Sequence, residues 1–219
     1  MGKKVRSRST LHNGSVAPVI ERPKIGMIFE CGPDGPDKKV CSHFAKMLWP
    51  EAEIKGVTLS DKKKLLAECG KETALLLKDC QRVIIIWDLH PAWREAKPCL
   101  HEDREAIFQS LRDAEVKSPN VHLVCIIEEL ESWLVADGHA ISSVLSTPAH
   151  PVRIPHETRP DKVQNPKARL RRLFKRNGKG DYVDFLHAMK IAKEITEVTR
   201  VRRSETFRRF ALKFADKQL

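Results

Sequence analysis

Four short apolar runs, each followed by a helical pattern, constrain this chain more than any other feature. Ile25 to Phe29 reads as a buried strand ending at Glu30. The Gly/Pro-rich turn Cys31-Gly-Pro-Asp-Gly-Pro-Asp37 follows, and then a helix to about Leu48. Glu53 to Leu59 reads as a second strand, with Ser60 as the expected cap of a helix running to about Lys78. Arg82 to Trp87 is a β-branched run ending at Asp88. A loop holding Pro91 and Pro98 then leads to a helix from about Glu102 to Ala114. Val121 to Ile127 is the fourth strand, and it is expected to pass directly into an acidic helix, Glu128 to Asp137. This β-α-β-α-β-α-β-α order predicts an α/β fold, a mostly parallel sheet with helices on both faces.

The flanks are different. Residues 1–23 are basic and without periodicity and read as a flexible arm, leaving 24–145 as the α/β core. Residues 146–163 hold Pro148, Pro151, Pro155 and Pro160 and read as a linker or long loop. Residues 164–219 form a basic helical C-terminal part, with helical stretches near 165–176, 181–196 and 204–216.

Composition excludes several classes. At 41% hydrophobic residues the chain of 219 is too apolar to be disordered. Its purest apolar run, Val83 to Trp87, falls far short of the roughly 20 residues a membrane span needs. The cysteines at 31, 41, 69, 80, 99 and 125 include no CxxC pair, so a zinc ribbon is unsupported and a reduced, cytoplasmic setting is expected.

The net charge of +11 is unevenly placed: +5 over residues 1–24, −5 over 25–150 and +11 over 151–219. Basic segments of this density point to a polyanion, most often nucleic acid held by its phosphate backbone. The basic candidates are Lys167, Arg169, Arg171, Arg172, Lys175, Arg176 and Lys179, followed by Arg202, Arg203, Arg208 and Arg209. With Tyr182 the only tyrosine, a stacking platform for single strands is not obvious.

In open α/β sheets the site forms outside the carboxyl ends of the strands. Glu30 stands at the first such end with Asp34 and Asp37 in the loop after it, Asp88 and His90 stand after the third strand, and Glu128, Glu129 and Glu131 after the fourth. Clustered carboxylates raise one another's pKa unless a cation lies among them, and their oxygens suit Mg²⁺ or Mn²⁺. Ordinary structural explanations stand beside these: turn shaping for Asp34 and Asp88, a helix N-terminus for Glu30, and a favoured helix start for one or two of Glu128, Glu129 and Glu131, with Glu131 the hardest to assign that way.

Glu30-Cys-Gly-Pro-Asp34 resembles the Glu-Gly-x-x-Asp/Glu signature of Toprim domains, and Trp87-Asp-Leu-His90 stands where those domains carry Asp-x-Asp. Glu129-Leu-Glu131-Ser-Trp133, continuing to Asp137, is similar to a Glu-x-Glu-Ala-Trp-x-x-Ala-Asp stretch in Toprim-like proteins related to the OLD (overcoming lysogenization defect) nucleases. Asn165-Pro-Lys167 and Ser204-Glu-Thr-Phe207 resemble the C-terminal part of the same group. Two positions depart from the pattern: Cys31 replaces a glycine, and His90 replaces the second aspartate.

The resemblance implies a Toprim-like sheet and metal-dependent phosphodiester hydrolysis with one or two Mg²⁺ or Mn²⁺ ions. It also implies a place in bacterial anti-phage defence beside an ATPase subunit. On it, Glu30, Asp88 and Glu131 are catalytic. The metal set is Glu30, Asp34, Asp88, His90, Glu129 and Glu131, and Lys167 contacts phosphate. The departure at His90 keeps a second reading open: a catalytically degenerate nucleic-acid-binding or regulatory subunit.

Overall fold

A computed structural model describes residues 22–92 and 97–219. Most of the basic N-terminal arm expected over 1–23, and part of the loop between Pro91 and Pro98, lie outside the described residues. Four strands, β1 (Lys24–Phe29), β2 (Glu53–Thr58), β3 (Arg82–Asp88) and β4 (Val121–Ile126), form one sheet in the order β2-β1-β3-β4. All three pairings are parallel, with Phe29 opposite Thr58 on one side and Ile86 on the other. The central strands β1 and β3 are apolar and buried almost throughout, as strands covered by helices on both faces must be, while β2 and β4 at the edges are only partly buried.

The helices divide between the two faces. On one side α2 (Lys62–Leu76) and α3 (Leu100–Asp113) pack against Ile28, Val83, Ile85 and Trp87. They approach each other at Gly70, where a Cβ would lie 1.9 Å from the Ser110 carbonyl oxygen. On the other side lie α1 (Pro36–Leu48), α4 (Glu131–Val135), α5 (Gly138–Leu145), α6 (Pro166–Arg176), α7 (Asp184–Glu194) and α8 (Glu205–Ala215). The expected α/β class with helices on both faces is therefore observed. The basic C-terminal part shares one core with the sheet: Phe174, Ile191, Phe207, Phe210 and Phe214 are buried with Met27, Ile84 and Ile126.

Two local expectations need correction. The cap of α2 is Asp61, whose carboxylate accepts from the Lys64 amide at 2.8 Å, while Ser60 sits at φ 69°. The acidic stretch after β4 is not one helix. Glu128 adopts φ 66°, α4 begins only at Glu131, and the chain turns extended at Asp137. Asp137 Oδ1 accepts from His139 N at 2.9 Å and Ala140 N at 3.4 Å, so it ends one helix by capping the next.

Candidate functional site

β1 and β3 are neighbours although β2 separates them in sequence, so the strand order reverses between them. Ligand crevices form at such a reversal, at the carboxyl ends of the strands. Glu30 leaves β1 there and Asp88 ends β3. Burial, reinforced by Asp37, pushes Glu30 up to about 8, with Lys62 and the Asp88 amide pulling against it. Asp88 is raised well above the usual carboxylate range by burial and by Asp37, Glu30 and Glu131. Burial also takes Asp37 to about 6, against the Cys31 thiol and Lys167, and Glu131 to about 7, against Lys167. Four carboxyls from three strand ends and the first turn of α1 thus resist ionisation together.

The cluster is only partly compensated. Glu30 Oε2 and Glu129 Oε2 are buried without a hydrogen-bond partner among the described residues. Tyr182 donates to Glu131 Oε1 at 3.1 Å, and burial followed by that carboxylate raises the phenol. Lys167, from the first turn of α6, brings its Nζ to 3.7 Å from Glu129, 3.8 Å from Glu131 and 3.1 Å from Asp184. Burial alone would lower the Lys167 ammonium, but the carboxylates of Glu131, Glu129 and Asp184 raise it above its ordinary value. Asn165 caps α6, accepting from Ala168 N at 2.9 Å, and its own amide donates to Glu128 Oε2 at 3.3 Å. That cap aims the basic helix at the acidic rim.

A second cation lies beneath the rim. Lys62, the first residue of α2, donates to the Leu89 and Pro91 carbonyls at 2.8 and 3.1 Å, fastening the loop after β3. It pairs at 2.9 Å with Asp103, which accepts from Trp87 Nε1 at 3.1 Å. Both charges are almost fully buried.

Of the residues expected from sequence, Glu30, Asp88, Glu129 and Glu131 meet at this rim. Asp34 does not join them: its side chain is fully exposed and faces Lys39 at 3.8 Å. Asp37, one helical turn on, is the carboxyl of that segment that interacts with the cluster. His90 Nε2 stands 3.7 Å from Glu128 Oε1, and both line a cavity of about 670 Å³ with Pro91, Glu129, Gln164 and Asn165. Arg169 pairs with Glu157, and Lys175 lies 3.5 Å from Asp181. Arg171, Arg172, Arg176, Arg202 and Arg203 are exposed.

Sequence reading placed Asp37 in the loop after β1 without giving it a role, and it missed Lys62, Asp103, Tyr182 and Asp184 as members of the site. One signal was available: helices that follow parallel strands begin at the carboxyl rim, so charged residues in the first turns of α1, α2 and α3 belong to it.

Several residues of the quoted motifs frame the site instead of lining it. Trp133 is buried and donates to Thr206 Oγ1 at 2.9 Å. Ser204 caps α8 and donates to Asp161, which also accepts from the amides of Glu205 and Thr206. The thiol of Cys31 is pushed up to about 12 by burial and Asp37, which makes it a poor nucleophile at neutral pH.

As for cations, the donor set is all carboxylate oxygen, which suits a hard divalent ion. Among the described residues, no three His, Cys, Asp or Glu side chains are already arranged to ligate one. Nor, among them, is any helix long and apolar enough to cross a membrane.

Comparison with curated proteins yields no match, and comparison with solved structures yields none. The family described as Domain of unknown function (DUF4276) matches residues 37–215, from the first turn of α1 to the end of α8, and the chain belongs to that family.

Proposed function

We propose that this chain is a divalent-metal-dependent nuclease hydrolysing phosphodiester bonds of DNA or RNA, acting beside an ATPase in bacterial anti-phage defence. The chemistry rests on one observation above all: Glu30, Asp37, Asp88 and Glu131 are held together with raised pKa values at the β1–β3 crevice. The Toprim resemblance of the same strand ends adds to it and alone supplies the defence role and the ATPase.

Glu30, Asp37, Asp88 and Glu131, with Glu129 at the edge, would hold one or two Mg²⁺ or Mn²⁺ ions. Glu30 Oε2 and Glu129 Oε2, without a hydrogen-bond partner among the described residues, would serve as ligand atoms. A bound ion of this kind supplies an activated water and offsets phosphate charge. Burial holds protons on Glu30 and Glu131, at about 8 and 7, and these would be released when the carboxylates ligate such an ion. An acidic crevice repels a polyanion, and the exposed Arg171, Arg172, Lys175 and Arg176 on α6 offset that repulsion without reading sequence. Phe185, 59% exposed and adjacent to Asp184, offers a face on which a base can stack.

One observation favours the second reading, a degenerate Toprim-like binding or regulatory subunit. The Lys167 ammonium already sits between Glu129, Glu131 and Asp184, where it neutralises part of the cluster as a metal would. Cleavage assays on single- and double-stranded DNA and RNA with Mg²⁺ or Mn²⁺ separate the two. The nuclease reading expects cutting that Glu30→Gln and Asp88→Asn each reduce by about a hundredfold or more. Undiminished cutting by both folded variants refutes it, and salt-sensitive binding without any cutting favours the regulatory subunit.

A further inference from the structure

β4 stands at one edge of the sheet, and its bonds to β3 reveal which of its backbone groups are free. Val83 N donates to Asn120 O at 3.0 Å, and Leu89 N donates to Ile126 O at 2.8 Å. The N–H and C=O of one strand residue point to the same side, and the side alternates along the strand. His122, Val124 and Ile126 therefore face β3, while Val121, Leu123 and Cys125 turn theirs outward. Among the described residues no backbone group bonds to those outward donors and acceptors.

Two cavities, of about 370 and 250 Å³, run along this edge and share Phe108, Val121 and Leu123. The first lies between α3 and α8 and is ringed by Arg104, Arg209 and Lys213; the second adds Arg112 and Lys117. Among the described residues, no carboxylate lines either cavity. Arg209 pairs with Glu205 and Arg112 bonds Gln109, but Arg104, Lys117 and Lys213 form no ion pair among the described residues. Burial, with Arg104 and Arg209 nearby, holds the Lys213 ammonium below its ordinary value.

The geometry points to the β4 edge as a docking site for an extended acidic segment of a partner protein, which would add to the sheet as a fifth strand. Alternating donors and acceptors match a peptide backbone, half-buried Val121 and Leu123 offer apolar contact, and the cations select acidic side chains. The chain's own first 24 residues carry net +5 and are repelled by the same cations. A nucleic-acid strand would answer the charge but not the backbone pattern. None of the carboxyls of the acidic crevice takes part.

The test uses the whole protein and a fluorescent peptide of alternating Glu and Val, with a Lys/Val peptide and a single-stranded oligonucleotide as controls. The Glu/Val peptide should bind at least about tenfold tighter than the Lys/Val peptide. Arg104→Glu with Lys213→Glu should remove that preference. Leu123→Pro should weaken binding about tenfold while keeping the β3 ladder, because the Leu123 N–H points away from it. Hydrogen exchange on the unaltered protein should show slowed Val121, Leu123 and Cys125 amides with the Glu/Val peptide. Equal binding of both peptides, binding without protection of these amides, or protection by the oligonucleotide alone overturns the proposal.

Discussion

Replacing Glu30 by Gln should make this protein more stable, and by an amount that depends on pH in a defined way. Folding holds the Glu30 carboxyl at about 8 instead of 4.5, so between those values the folded chain binds more protons than the unfolded one. The contribution of Glu30 to stability therefore falls as pH rises through that window. Below about pH 4.5 both states are protonated and the two proteins should agree. At pH 7 the variant should be ahead by about 3 kcal/mol, and above pH 8 by about 5 kcal/mol. For a chain of this length the latter is a rise in Tm on the order of 10 °C. Urea unfolding followed by tryptophan fluorescence from pH 4 to 9 measures this directly. Parallel stability–pH curves for the two proteins, or a Gln variant less stable at pH 8, would refute the reasoning that the rim is electrostatically frustrated.

Lys62→Met should destabilise the fold by about 3–5 kcal/mol, because it leaves Asp103 buried without its 2.9 Å partner. Adding Asp103→Leu should recover much of that loss, which a double-mutant cycle in urea would register. Gly70→Ala should cost about 3 kcal/mol, since its Cβ would overlap the Ser110 carbonyl and one helix must move; an unchanged Tm would contradict the close α2–α3 approach. Phe185→Ala should leave Tm unaltered while weakening single-stranded nucleic-acid binding by about 1–3 kcal/mol in fluorescence anisotropy.

The strands and the long helices were legible because each strand is a short run of branched apolar residues between turn residues, and each long helix has its own apolar stripe. Strand bounds agree with the sequence reading to within a residue at either end. Glu30 and Asp88 were legible for a related reason: a polar residue closing a parallel strand has nowhere to go but the rim. What failed depended on direction or on distant partners. Asp34 and Asp37 lie in one turn, but only Asp37 enters α1, where its side chain leans back over the preceding turn toward the crevice. The break between α4 and α5 follows from Asp137 capping forward, a choice that the acidic, helix-favouring run conceals. The Lys62–Asp103 pair joins residues 41 positions apart through the packing of α2 on α3, which no local pattern encodes. Lys167 read as one of many basic residues of α6, yet the Asn165 cap turns it toward Glu129 and Glu131 instead of solvent.

The central claim is that the frustrated carboxyls of the β1–β3 crevice bind a divalent cation, and Mn²⁺ binding measured by calorimetry or by electron paramagnetic resonance tests it most directly. The account predicts that the unaltered protein binds Mn²⁺ at pH 7.5 with release of protons from the raised carboxyls. It also predicts that Asp88→Asn, folded by circular dichroism, loses that binding by about tenfold or more. Equal Mn²⁺ affinity in both proteins, or no binding by the unaltered one, would contradict it.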